Sequence, residues 1–364
     1  MSFEGREPLG ELVMYKRLVR AIYPLEAGRI VLGTGSTWDE CIEPSEVSGG
    51  GYVYEFALTS ERPFLYCKPC IATGTGLQQS CGPGNLVLMT QPGSRDIYPH
   101  FFAGKGGDIS PVIRKDSSAL GRPHLFRVYL PAGYRENTLK RYPVVYMQDG
   151  KNLFFPEEAF LGTDWKVEET LDLLDSMSMI DKTIVVGIYA QNREEEYTSP
   201  GYRDYGRSIV EEVKPFIDSR FRTLTGPEDT GVMGSSLGGV VSFFMAWEWP
   251  EVFGRAGCLS STFSWKDDLI KRVLCESKRE IRVYLDSGWP GDNYEVTLSM
   301  SMALVECGYQ YGRDFLHFVF PNAQHGETAW AGRLHLPFQL FSGKVTRASR
   351  YATGPQGMGT APIH

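Results

Sequence analysis

A serine, an acid and a histidine stand in this chain in an order that can break an acyl bond. Ser236 is the centre of Val232-Met233-Gly234-Ser235-Ser236-Leu237-Gly238-Gly239, a G-x-S-x-G pattern. Such a pattern describes a strand that ends in a strained turn and re-enters as a helix, leaving the central hydroxyl exposed. Glycine makes up 40 of 364 residues, so chance supplies roughly 0.3 such patterns in a chain of this length, and context must decide. The context agrees, because the strand-like run 230–233 precedes the serine and the helix-like run 240–247 follows it.

A serine hydroxyl is a weak nucleophile at neutral pH and needs a base within hydrogen-bond reach. Of six histidines, His325 follows the last strand-like run, 315–320, after Pro321-Asn322-Ala323-Gln324, where a loop can swing an imidazole over the serine. His317 within a strand and His335 within a helix read as structural. His100 and His124 lie upstream of the serine, and His364 is the last residue. The acid should follow the preceding strand, 281–285. Asp292, past the turn Ser287-Gly288-Trp289-Pro290-Gly291, can reach the outer nitrogen of His325 and fix its tautomer. Asp286 at the strand end is the alternative. An oxyanion site needs two backbone N–H donors. Leu237 supplies one, and the loop Gln148-Asp149-Gly150-Lys151-Asn152 supplies the other through Gly150 or Lys151.

The elements that must position these groups are legible from residue 110 onward. Strand-like runs at 125–130, 144–147, 183–189, 230–233, 256–259, 281–285 and 315–320 alternate with helix-like runs at 165–174, 208–220, 239–247 and 293–307. Apolar strands alternating with helices predict a mostly parallel sheet covered on both faces, with reactive groups at the carboxyl ends of its strands. The fold class is therefore α/β, preceded by a small all-β domain. In that first part, short β-type runs at 29–32, 52–58, 64–67 and 86–89 are separated by glycine-rich turns, as in a small sandwich. A segment at 11–22 reads as helical. The expected division is 1–108 for the β-sandwich, 109–345 for the catalytic domain and 346–364 for a loose tail.

Composition narrows the functions. A chain of 364 residues with 42% hydrophobic and 22% charged residues is long enough for one large domain plus a smaller one. A net charge of -7 without any Lys/Arg stripe argues against nucleic acid as a partner. No apolar run approaches a membrane span. The N-terminus lacks a basic-then-apolar leader, so a cytoplasmic location is expected. Cys67-Lys68-Pro69-Cys70 is a lone CxxC, where a structural zinc site would take four ligands, so it reads as two half-buried thiols. No metal or cofactor is expected. A homo-oligomer is compatible with all of this.

Taken together, Tyr146-Met147-Gln148-Asp149-Gly150-Lys151-Asn152-Leu153-Phe154, the Ser236 turn, Asn192-Arg193 with Glu196-Tyr197, and His325-Gly326-Glu327-Thr328-Ala329-Trp330 with Arg333 resemble the esterase-D/enterobactin-esterase-like group of α/β-hydrolases. That group includes feruloyl and acetyl-xylan esterases. The resemblance covers about 116–341 and implies a metal-independent serine carboxylesterase with Ser236 as nucleophile and His325 as base. Two departures stand out: Gly326 replaces a frequent Asn, and Asp292 lies four residues after Gly288 rather than three. Arg193, Glu196, Tyr197, Tyr202 and Trp330 are expected to line or support a cleft for a small-molecule or sugar-linked ester. The first domain resembles β-sandwich accessory modules, some of them carbohydrate-binding, with Trp38, Tyr52 and Tyr54 as candidate stacking residues. An acyltransferase on the same fold and a binding protein with a decayed site are the competing readings.

Overall fold

The computed structural model describes residues 14–345. They divide into two compact units, one running to Lys105 and including Ala132–Lys140, the other formed by Gly106–Pro131 and the chain from Arg141. The expected tail lies outside the described residues.

The first unit is all-β. Its strands are β1 (Tyr15–Ile22), β2 (Arg29–Thr34), β3 (Glu40–Ile42), β4 (Glu46–Ser48), β5 (Val53–Ser60), β6 (Phe64–Thr73), β7 (Gly76–Gln79), β8 (Asn85–Leu88) and β9 (Ser94–Ile97). One sheet runs β4-β5-β1-β9; the other runs β3-β2-β6-β7, with β8 also on β6. Val19, Ala21, Phe56, Leu58, Ile30, Leu32 and Val87 from both sheets share one core.

The helix expected at 11–22 is corrected to strand β1 over its described part. Alternate residues Arg17, Val19 and Ala21 are buried, and the strand pairs antiparallel with β5 from Tyr15 opposite Ser60 to Ile22 opposite Val53. Leu18, Val19, Ala21 and Ile22 satisfy both periodicities, and in so short a run only the pairing partner decides. The excursion 132–140 groups with this unit because Asn137 Nδ2 donates to Ile22 O and Pro99 O, both at 2.9 Å. The Glu136 carboxylate also collects the amides of Phe101, Phe102 and Ala103. Tyr54 belongs to the core, Tyr52 is exposed, and Trp38 is half-buried beside Lys68. Cys67 and Cys70 are buried free thiols, and burial pushes Cys67 up to about 12, far from a reactive thiolate.

The second unit carries a nine-stranded sheet. Its strands are β10 (Asp108–Ile109), β11 (Ile113–Asp116), β12 (Pro123–Leu130), β13 (Val144–Met147), β14 (Ile184–Ile188), β15 (Thr230–Ser235), β16 (Arg255–Leu259), β17 (Arg282–Trp289) and β18 (Phe315–Pro321). The order is β10-β12-β14-β13-β15-β16-β17-β18, with β11 on β12. β12 is antiparallel to β14, and β14 to β18 run parallel. Every residue of β13 to β16 is buried, which is why these strands read as continuous apolar runs. Among the described residues, no helix is long and apolar enough to cross a membrane.

One upstream histidine serves this frame. His124 is fully buried on β12 with Nε2 2.9 Å from Ser208 Oγ, and burial together with Arg122 pushes its pKa down from 6.5 to about 4. Between those values the unfolded chain binds more protons than the folded one, so stability falls as pH drops through the window. His124→Gln should remove about 2 kcal/mol of the stability loss between pH 7 and pH 5. Urea midpoints at the two pH values check this; an unchanged pH dependence would refute it.

Candidate active site

Ser236 sits between β15 and the helix Leu237–Glu248, with φ of 54° and ψ of -122°. That left-handed conformation is strained for a residue with a side chain. It is held by the Ser236 amide donating to Leu259 O at 2.9 Å and by the Ser236 carbonyl accepting from Gly239 N at 3.1 Å. The turn is tight enough to exclude a side chain at Gly234, where a Cβ would fall 2.5 Å from the Gly238 backbone. Helix Leu237–Glu248 is buried on all sides up to Trp247, which anchors the turn from below.

Ser236 and His325 border one cavity of about 430 Å³, together with Lys151, Phe160, Arg193 and Trp330. His325 follows β18, and its Nδ1 lies 2.7 Å from Asp292 Oδ1. The ring stands edge-on to Trp330, with centroids 5.0 Å apart. Asp292 comes from the loop after β17. Its second oxygen accepts from Ser260 Oγ and from Gly288 N, each at 2.6 Å. Burial alone would raise this carboxyl, but the donors from His325, Ser260 and Gly288 outweigh it and hold the group below the ordinary carboxylate value.

Asp286 is placed differently. The strand end expected for it is corrected: β17 runs on to Trp289, so Asp286 is fully buried within the strand, where it takes Tyr284 Oη at 2.8 Å and lies 3.0 Å from Arg333 Nη2. Burial pushes its carboxyl up, against the pull of Arg333. No contact joins it to His325 among the hydrogen bonds of the described residues.

The loop after β13 turns at Asp149, with φ of 55°. Its carboxylate receives Arg193 in a two-pronged pair, Nε at 2.8 Å and Nη2 at 3.0 Å, and Arg193 Nη2 also reaches Ser235 O at 3.3 Å. One guanidinium thus ties the loop to the residue before the serine. Tyr197 Oη accepts the Asp149 amide at 3.1 Å, and Tyr205 Oη donates to Gln148 Oε1 at 2.6 Å. Lys151 borders the cavity. Gly150 packs against β14, where a Cβ would fall 2.3 Å from Gly187 O. No cluster of three metal-ligating side chains occurs among the described residues.

The sequence pattern of the Esterase family matches residues 117–334. The chain belongs to this family. The esterase is a carboxylic ester hydrolase of α/β-hydrolase fold. It is 29% identical over 172 residues to an endo-1,4-beta-xylanase/feruloyl esterase of Xylanibacter ruminicola, covering 46% of this chain and 23% of that protein. It is 26% identical over 182 residues to the uncharacterised YbbA of Bacillus subtilis, covering 45% of this chain and 67% of YbbA. A solved ferulic acid esterase of Anaeromyces mucronatus, in complex with ferulic acid, superposes with a TM-score of 0.54 at 19% identity, covering 67% of this chain and 92% of that one. The enterobactin esterase of Shigella flexneri, solved in the presence of enterobactin, gives 0.53 at 14% identity, covering 90% of this chain and 92% of that one. At such identities the structural likeness is one of fold.

Three of the five residues expected to line or support the cleft do not border the cavity. Arg193 and Trp330 border the cavity, but Glu196 and Tyr197 do not. Glu196 is buried against Arg122 and accepts the amides of Gln191 and Asn192, capping the helix Arg193–Tyr197. Tyr197 is fully buried and supports Asp149. Tyr202 is likewise buried, stacked on Phe244. Two groups escaped the sequence reading: the Asp149 side chain as partner of Arg193, and Ser260. An Asp-Gly turn and a Leu-Ser-Ser strand end carry no distinctive spacing of their own.

Proposed function

We propose that the esterase works through an acyl-enzyme, with Ser236 as nucleophile, His325 as base and Asp292 as acid. The 2.7 Å contact between His325 and Asp292, on a ring that shares a cavity with Ser236, carries this reading. Ser236 Oγ attacks the ester carbonyl and its proton passes to His325 Nε2. The oxyanion is met by the amide of Leu237 and that of Lys151 or Gly150. Collapse of the adduct breaks the bond to the leaving alcohol, which takes the proton from His325. Water then adds to the acyl-enzyme with His325 again as base. One third of the His325 side chain is exposed, which gives water access. Asp292, accepting from Nδ1, keeps Nε2 free for the serine proton.

The substrate is a small-molecule or sugar-linked carboxylic ester. Phe160 and Trp330 offer apolar wall, while Lys151 and Arg193 offer donors to a polar ring substituent. The all-β unit is an accessory module in this reading. Incubation with diethyl p-nitrophenyl phosphate tests the proposal, because a serine with an activating base is phosphorylated irreversibly. One adduct per chain on the peptide containing Ser236, with loss of esterase turnover in parallel, is expected. Full turnover with Ser236 unlabelled would overturn it.

A further inference from the structure

Ser260 lies just past β16 with φ of 43° and no exposed surface. Its hydroxyl meets three side chains from other segments: Trp330 Nε1 at 3.0 Å, Arg333 Nη2 at 2.5 Å and Asp292 Oδ2 at 2.6 Å. An indole N–H and a guanidinium can only donate. Both lone pairs of the serine oxygen are therefore taken, and its own proton goes to Asp292.

The same Arg333 Nη2 stands 3.0 Å from Asp286 Oδ1 and 3.7 Å from Asp292 Oδ2. Two buried carboxylates thus compete for one buried cation. In the low dielectric of this site a bare Arg333–Asp292 pair would be strongly attractive. It would draw the carboxylate away from His325 Nδ1. The Ser260 oxygen stands between them, accepting from the cation and donating to the acid.

We propose that Ser260 is a positioning residue that separates the two carboxylates, leaving Arg333 to Asp286 and Asp292 Oδ1 to His325. The proposal rests on the triad reading above, since Ser260 acts through Asp292. It also ties Trp330, the ring against His325, to the same hydroxyl.

The test uses Ser260→Ala and Ser260→Gly in the full chain, assayed with p-nitrophenyl acetate across pH. Both variants should lower kcat by about 10- to 100-fold and change KM far less, because the base is mis-set while no cavity-lining residue is itself replaced. The acid limb of kcat/KM should move to lower pH, since an imidazolium with a more distant carboxylate gives up its proton more readily. Glycine relieves the backbone at φ of 43°, so a loss shared by both variants belongs to the hydroxyl. Recovery in the glycine variant alone, or an unmoved acid limb, would overturn the proposal. Adding Ser260→Ala to Asp292→Asn should cost nothing further, and additive losses would also overturn it. If Asp292→Asn alone kept near-native activity, the triad reading would fall instead.

Discussion

Replacing Ser236 by alanine is expected to lower kcat/KM for p-nitrophenyl acetate by roughly 10⁴-fold or more, with the fold intact. The magnitude follows from what the change removes. Without the hydroxyl no acyl-enzyme forms, and the residual rate is what oxyanion donors and binding can give a water molecule. The intact fold follows from how the residue is held. The contacts that fix the turn are backbone contacts, to Leu259, Gly239 and Val240. Alanine keeps the Cβ, so the left-handed backbone gains no new clash. Circular dichroism and the thermal midpoint should match the parent protein. A variant retaining more than a tenth of the parent rate would place the nucleophile elsewhere.

The parts of this site that were legible in the sequence are those made by local sterics. The turn at Ser236 needs small residues where strand and helix backbones touch, and Gly234 is there for that reason. The alternation of apolar strands with helices fixed the parallel sheet, because strands buried on both faces read as unbroken apolar runs. His325 was legible by its place after the last strand. What failed was whatever depended on which long-range partner a residue meets. Residues 15–22 fit both periods, and only pairing with β5 makes them a strand. The segment 132–140 looked like part of the second domain until Asn137 and Glu136 bonded into the first unit. Glu196 and Tyr197 sit in a motif beside Arg193, yet a five-residue helix turns only Arg193 toward the cavity. Ser260 is invisible from sequence because its role is defined by three partners at least 32 residues away.

The choice between the two acids is the sharpest consequence of the geometry. Asp292→Asn is expected to lower kcat/KM by roughly 10⁴-fold, whereas Asp286→Asn lowers stability more than rate. In the parent protein Asp292 Oδ2 accepts the Gly288 amide, a donor that cannot rotate away. An asparagine must therefore keep its carbonyl on that side and present its NH₂ to His325 Nδ1. The ring nitrogen there then has to accept, the imidazole proton moves to Nε2, and the atom that should take the serine proton already carries one. Asp286→Asn leaves His325 in its tautomer but strips the charge partner from Arg333, whose side chain is 3% exposed. Breaking a buried ion pair by removing one partner costs about 3–5 kcal/mol, less whatever Asp292 Oδ2 at 3.7 Å returns to the cation. Ser260 Oγ, bonded to both groups, opposes a closer approach of Arg333 to Asp292, so the accompanying fall in kcat/KM should stay within about tenfold. Kinetics and urea unfolding of the two variants, side by side, decide the matter. If Asp286→Asn were the catalytic loss and Asp292→Asn the loss of stability, the acid would have to be reassigned to Asp286.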